Sequence, residues 1–376
     1  MSTTATPLPS SDAFLARISA GRSEARQKTA DIKASVRSIH LETSHDKALR
    51  TALDRLLDSI HFELSFADDG SSPEVENRGG RAIIVVGFPG AGKSRAVKHA
   101  LRTRPEFEGF GHRGAWSPVL SIVAPSPFSL AALGTEIVKA LGYETETLIK
   151  QTKVWPMVRN LVRDQKVRVI HIDEAQHMDE IVSPVMKTEI RNTLKRLMQQ
   201  EEWPVWLILS GLPETARFIQ SDGSLQRRIE VVRFESLRFE ADDDGNADVD
   251  HIRVVINRIA APCPEMVPAG LLTDEFIHRL LHAATYQFGI LVELVQDAIA
   301  LALDRHDPEA YPAGPVVDKV DFADVYSDRT GVLSDDLNPF IADRWLDITV
   351  ETAIYEQPTD ETGKSTGKPA LKARRT

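Results

Sequence analysis

A chain of 376 residues has room for two or three compact units, and 42% apolar with 27% charged residues is the balance of a globular protein. Its one cysteine, Cys263, excludes an intramolecular disulfide and points to a reducing compartment. A formal net charge of −10 argues against nucleic-acid binding by the whole surface, though not by a local basic strip. No apolar run reaches membrane-spanning length and the start lacks a signal-peptide design, so the expected location is the cytoplasm, with no membrane partner.

Residues 1 to about 12 are rich in Ser, Thr and Pro, a composition that predicts disorder. From Ala13 to Phe66 apolar residues recur at helical spacing, among them Leu49, Leu53, Leu56, Leu57 and Ile60. They predict two or three helices, the later ones covering one side of the site built by the segments that follow. Gly79-Gly80 releases the chain into a first strand, Ala82 to Val86, whose unbroken apolar run suits the interior of a parallel sheet.

The next nine residues, Gly87-Phe88-Pro89-Gly90-Ala91-Gly92-Lys93-Ser94-Arg95, carry the pattern G-x-x-x-x-G-K-S and lead into a helix. Such glycines let successive N–H groups turn inward, and the helix N-terminus adds positive potential. Lys93 is then placed for the β and γ phosphates of ATP and the Ser94 hydroxyl for Mg²⁺. The plain alternative is a Gly-rich turn with a solvated lysine.

Further strands are expected at Val119–Val123, Val167–Ile172, Val205–Leu209 and Ile229–Phe234, with helices at Leu130–Leu141, Val154–Arg163 and Ser183–Gln200. This alternation predicts a parallel sheet covered on both faces. The third strand runs into Asp173-Glu174. At the carboxyl edge of a parallel strand Asp173 can hold Mg²⁺, directly or through water, and Glu174 can orient and deprotonate the attacking water. A carboxylate favoured by a helix N-terminus is the alternative for Glu174. Ser210, ending the fourth strand, is placed to touch the γ-phosphate or the water, or else to cap a turn.

His171 and His177 flank the acid pair without a third ligand at zinc-like spacing, and read as packing and surface residues. Arg227 and Arg228 precede the fifth strand, where one guanidinium can neutralise charge on a neighbouring subunit's γ-phosphate; an ordinary solvated surface is the competing reading. A site shared in this way implies a head-to-tail homo-oligomer, closed as a ring or propagated as a helical filament. Downstream, the acidic stretch Asp242–Asp248 lacks EF-hand spacing. Helices at His251–Ile259, Thr273–Ala284 and Phe288–Asp304 predict a small lid, and Lys364, Lys368, Lys372, Arg374 and Arg375 a flexible basic tail.

This order of parts resembles an AAA+ ATPase. More narrowly, the chain is similar to the TniB family of transposition ATPases, relatives of the TnsC and MuB target-selection proteins. The matching residues are Gly87 to Ser94, Val123-Ala-Pro-Ser-Pro127 before Leu141-Gly-Tyr143, Ile172-Asp-Glu-Ala-Gln-His177, Leu209-Ser-Gly-Leu-Pro-Glu214, Leu225-Gln-Arg-Arg228, Asp321-Phe-Ala-Asp-Val-Tyr326 and Asn338-Pro-Phe340. The resemblance implies an α/β AAA+ P-loop fold with a parallel five-stranded sheet between helices and a small α-helical lid. It also implies an ATP- and Mg²⁺-dependent ATPase that oligomerises on duplex DNA, recruits or stimulates a DDE transposase, with or without a target-selector protein, and disassembles on hydrolysis.

The expected organisation is a flexible region over 1–35, a nucleotide-binding domain with N-terminal helices over 36–240, a lid over 241–345, and an extension with the basic tail over 346–376. One departure stands out: Gly289-Ile-Leu-Val292 has valine where such lids often carry a sensor arginine. DNA contacts are expected from Lys98, Arg102, Arg104, Arg113, Ser126 and Ser129, each with a solvated alternative. Two other readings keep the ATPase: a secretion or stress-signalling switch with a protein client and no DNA, and a DNA-repair or clamp-loading motor.

Overall fold

The computed structural model describes residues 24–68, 79–112, 114–241, 247–306 and 314–350. Two compact units result. One comprises residues 42–236; the other combines residues before 42 with those from 237 onward.

The chain begins with α1 (Glu24–Ser38) and α2 (Ser44–Asp68). Five strands follow, β1 (Ala82–Gly87), β2 (Val119–Val123), β3 (Val169–Asp173), β4 (Trp206–Gly211) and β5 (Ile229–Phe234), in the spatial order β2-β3-β4-β1-β5. Every neighbouring pair is parallel. Between them run α3 (Lys93–Thr103), α4 (Leu130–Ala140), α5 (Gln151–Asp164), α6 (Pro184–Met198) and α7 (Pro213–Gln220).

Alternation along β1 builds the layers. Ile83 and Val85 face Leu49, Leu53 and Leu56 of α2 and Val97 and Leu101 of α3, whereas Ala82, Ile84 and Val86 face a second cluster formed with α4, α5 and α6. An inner strand buried on both faces accounts for the unbroken apolar run. The helix containing Leu49 to Ile60 therefore covers a face of the sheet. It is tied there by the Trp206 indole, which donates to Ser59 Oγ at 2.7 Å.

The second unit holds α1 with α8 (Val249–Ile259), α9 (Asp274–Ala283), α10 (Phe288–Arg305) and α11 (Lys319–Thr330). Its core includes Leu280, Leu291, Val295, Phe322 and Phe340. Ile32, Val36 and Ile39 recur as i, i+4, i+7 and pack into that core, which is why α1 joins this unit. The expected boundary at residue 35 accordingly falls inside a helix. The buried Gln296 amide on α10 donates to the Val36 carbonyl at 2.9 Å, and Lys33 pairs with Asp304 at 2.5 Å. Trp345, Ile348 and Val350 are buried too, so the core continues past the expected end of the lid at residue 345. Val292 is 4% exposed within this core, an apolar environment that suits valine at the position where such lids often carry a sensor arginine. Cys263 is buried here, with burial and then Glu265 raising its thiol pKa.

Candidate active site

The loop between β1 and α3 is shaped by its glycines. A Cβ at Gly87 would lie 2.7 Å from the Phe234 carbonyl oxygen and 2.8 Å from Phe234 Cβ, so β5 passes too close for any side chain. Gly90 and Gly92 have φ of 77° and 91°, left-handed conformations that cost glycine nothing. At Gly92 a Cβ would meet no atom within 4 Å, which leaves open space at the mouth of the helix. Among the described residues no side chain caps that helix end. Its first N–H groups and its positive potential are thus left for a ligand, and the donor-rich cradle fits an anion such as a phosphate.

Lys93 closes the loop by donating from Nζ to the carbonyls of Gly87 at 2.8 Å and Phe88 at 2.9 Å. Burial pulls its pKa below the ordinary lysine value, opposed by the negative charges of Glu174 and Asp173. Phe88 is 55% exposed at the rim, and Arg95 is exposed one residue beyond Ser94. Pro89 and Ala91 belong to the turn itself, where the Ala91 N–H donates to the Phe88 carbonyl at 3.2 Å.

Asp173 stands at the end of β3, 5% exposed. Its Oδ1 accepts from Ser94 Oγ at 2.8 Å and from Ser210 Oγ at 2.6 Å, while Lys98 Nζ lies 3.4 Å from Oδ2. Burial pushes the carboxyl pKa up. The hydrogen bonds from Ser210 and Ser94, with the charges of His171 and Lys98, outweigh this and hold it below the usual carboxylate value. Ser94 and Asp173 form an all-oxygen donor pair of the kind a hard divalent cation takes, so the residues present fit Mg²⁺.

Glu174 is exposed and left-handed, with φ of 54°. Gln176 steadies it. The Gln176 amide donates to Glu174 Oε2 at 2.5 Å and accepts from the Leu212 N–H at 3.3 Å, linking the glutamate to the turn after β4. In the sequence, only its place two residues after Glu174 signals a role for Gln176.

Of the other expected site residues, Ser210 is fully buried between Asp173 and His171. His171 is likewise buried, and burial lowers its pKa to about 4 against Asp173, with Lys98 lowering it further. His177 pairs with Glu180 at 2.9 Å, and among the described residues no group of three or more His, Cys, Asp and Glu could hold a metal.

Arg227 and Arg228 lie elsewhere. The Arg228 carbonyl accepts from the Ala82 N–H at 2.9 Å, which places the pair at the amino edge of β1, whereas the phosphate loop leaves its carboxyl edge. Six strand residues at about 3.3 Å each put roughly 20 Å between them. Neither guanidinium bonds to a described residue, and together with Arg55, Arg81 and Glu230 they line a pocket of about 200 Å³. A larger trough of about 890 Å³ between α5 and α6 shares no lining residue with the phosphate loop.

The residues considered for DNA contact divide. Lys98 is turned to Asp173, Arg104 is committed to Asp54 at 2.6 Å and to the Arg50 carbonyl at 3.0 Å, and Ser129 caps α4 by accepting from the Ala132 N–H at 3.1 Å. Arg102 and Ser126 are exposed. Arg113, most of the acidic stretch at 242–246 and the basic tail lie outside the described residues.

A phosphate loop, an acid pair ending β3 and the 2-3-4-1-5 strand order define an AAA-type P-loop ATPase domain. Residues 76–219 match the family model described as an AAA domain. Among solved structures, the chain is similar to Cdc6p from Pyrobaculum aerophilum, with 13% identity and a TM-score of 0.51 over 81% of this chain and 72% of that one. It is also similar to the Aeropyrum pernix ORC1 protein solved in complex with DNA, with 13% identity and a TM-score of 0.52 over 78% of this chain and 67% of that one. At such identities the likeness is one of fold: an AAA+ sheet followed by a helical region. No curated protein sequence matches the chain.

Proposed function

We propose that the protein is an ATP-driven regulator of DNA transposition that assembles head to tail on duplex DNA, engages a DDE transposase and releases on hydrolysis. The observation that carries the assembly is the placement of phosphate loop and Arg227/Arg228 on opposite edges of one sheet. An arginine roughly 20 Å from its own loop is out of reach of it, a placement that suits service to a neighbour's.

In this reading the N–H groups of Gly90, Gly92, Lys93 and Ser94 turn to the phosphates and the Lys93 ammonium leaves its loop carbonyls for their oxygens. Ser94 and Asp173 would hold Mg²⁺, which would supply positive charge beside the phosphates. Glu174, kept in place by Gln176, orients the attacking water and accepts its proton. An arginine of the adjacent copy offsets the charge on the transferring group. The DNA partner is supported by the fold shared with an ORC1 protein solved with DNA, and the transposition role by the TniB-like segments.

Co-sedimentation with duplex DNA of arbitrary sequence tests this reading. The protein is expected to pellet with DNA in the presence of a non-hydrolysable ATP analogue, with a steep loss as salt rises, and not with ADP. Lys93→Ala abolishes the ATP-dependent fraction. Glu174→Gln keeps it, while turnover drops by about 10²- to 10⁴-fold. DNA binding that ignores the nucleotide, or ATP-dependent assembly that ignores DNA, overturns the proposal, the latter in favour of a protein client.

A further inference from the structure

Three strands bring to Asp173 a line of side chains that the ATPase chemistry leaves unused. Ser121 Oγ on β2 lies 2.9 Å from His171 Nδ1 on β3, and His171 Nε2 lies 2.9 Å from Ser210 Oγ on β4. Ser210 Oγ in turn is 2.6 Å from Asp173 Oδ1. The register makes this possible. Ser121 pairs directly with His171, and His171 and Asp173, two apart on one strand, share a face. His171 and Ser210 are both 0% exposed, so their polar atoms find partners only within the chain.

Counting hydrogens gives the line a direction. Ser210 has one, and a carboxylate can only accept, so that hydrogen points to Asp173. The Ser210 oxygen must then accept from His171, whose Nε2 carries a hydrogen. We infer that His171 is a positioning residue for the metal side of the ATP site. By donating to Ser210 it commits that hydroxyl to Asp173 Oδ1, and the carboxylate is held where it also receives Ser94. Asp173 Oδ2 has Lys98 3.4 Å away. Released from Ser210, the carboxylate turns to the lysine, and a divalent cation has to displace an ammonium to reach it.

The inference rests on Ser94 and Asp173 serving Mg²⁺ with ATP. Failure of that reading shows as a wild-type protein whose nucleotide binding ignores Mg²⁺, a result distinct from every comparison between variants. The experiment titrates Mg²⁺ against binding of a fluorescent ATP analogue in wild type, His171→Gln, His171→Leu, Ser210→Ala and the His171→Leu/Ser210→Ala double variant. His171→Leu and Ser210→Ala are each expected to raise the half-saturating Mg²⁺ concentration by about 10-fold or more. The double variant matches the single ones because both cut one line. Binding in EDTA is unchanged throughout, which a merely misfolded site would not allow. His171→Gln, whose amide can still donate towards Ser210, stays near wild type.

An unmoved Mg²⁺ midpoint in His171→Leu, additive losses in the double variant, or a glutamine variant as impaired as the leucine one each overturn the inference. So does a nitrogen-15 spectrum of the wild type in which the histidine perturbed by Ser210→Ala lacks a hydrogen on Nε2. That last measurement needs no nucleotide and no folded leucine variant.

Discussion

Tyr326 carries a buried hydroxyl with no hydrogen-bond partner among the described residues, in a side chain only 1% exposed. Burial raises its pKa to about 12. An unsatisfied buried donor costs about 1–3 kcal/mol. Tyr326→Phe is therefore expected to leave stability unchanged or raise it by about 1 kcal/mol, read as a denaturant midpoint at neutral pH. The sign with pH follows from a folded pKa above the unfolded value near 10. Whatever Tyr326 contributes is fully present below about pH 10 and is lost as pH climbs towards 12, and the phenylalanine variant lacks that alkaline decline. A loss above about 1 kcal/mol at neutral pH would show that the hydroxyl is satisfied in solution.

Between β1 and β5 the tightest constraint is Gly87, where an added methyl would sit 2.7 Å from a backbone oxygen. Gly87→Ala is expected to push these two strands apart and cost about 1–3 kcal/mol, visible as a lowered thermal midpoint together with weakened nucleotide binding. A variant of unaltered midpoint would mean that β5 yields freely. The elements also show what periodicity can convey. The bounds of β2 and β5 were legible in full, because compact β-branched runs sit between Pro and Arg-rich turns. β3 begins two residues later than expected because Val167 accepts the chain from α5, its N–H donating to the Val162 carbonyl. α7 went unread. It spans eight residues and opens on Pro213 directly after Gly211-Leu212, too short for a repeating stripe to emerge. α11 hid its helix for another reason: Asp318 and Asp321 resemble a loop, yet they form a reciprocal cap at its start. Nor could spacing reveal the strand order, which depends on contacts far apart in the chain. In the candidate site the glycine-rich loop and the acid pair stand out by pattern. The line through His171 did not, since three residues separated by dozens of positions meet only through register.

For the whole molecule, opposite placement of loop and arginines sets up a complementation test. Neither Lys93→Ala nor an Arg227→Ala, Arg228→Ala double variant should hydrolyse ATP alone. Mixed, they form junctions in which an intact loop meets an intact arginine, and hydrolysis is expected to recover in part. A mixture as silent as its components would remove both arginines from a shared site, and recovery with only one single-arginine variant would identify the residue that reaches across.

Because α1 is built into the helical unit while α2 belongs to the sheet, the polypeptide leaves that unit near residue 41 and re-enters it at 237. Dissection must respect this. A fragment spanning 42–236 carries both sheet cores entire, but one starting at 237 would lack the segment bearing Val36 and Leu41, and Gln296 would lose its carbonyl acceptor. Splicing residues 24–41 to the front of 237–350 through a short engineered tether should yield an independently soluble helical module; the unspliced fragment should aggregate.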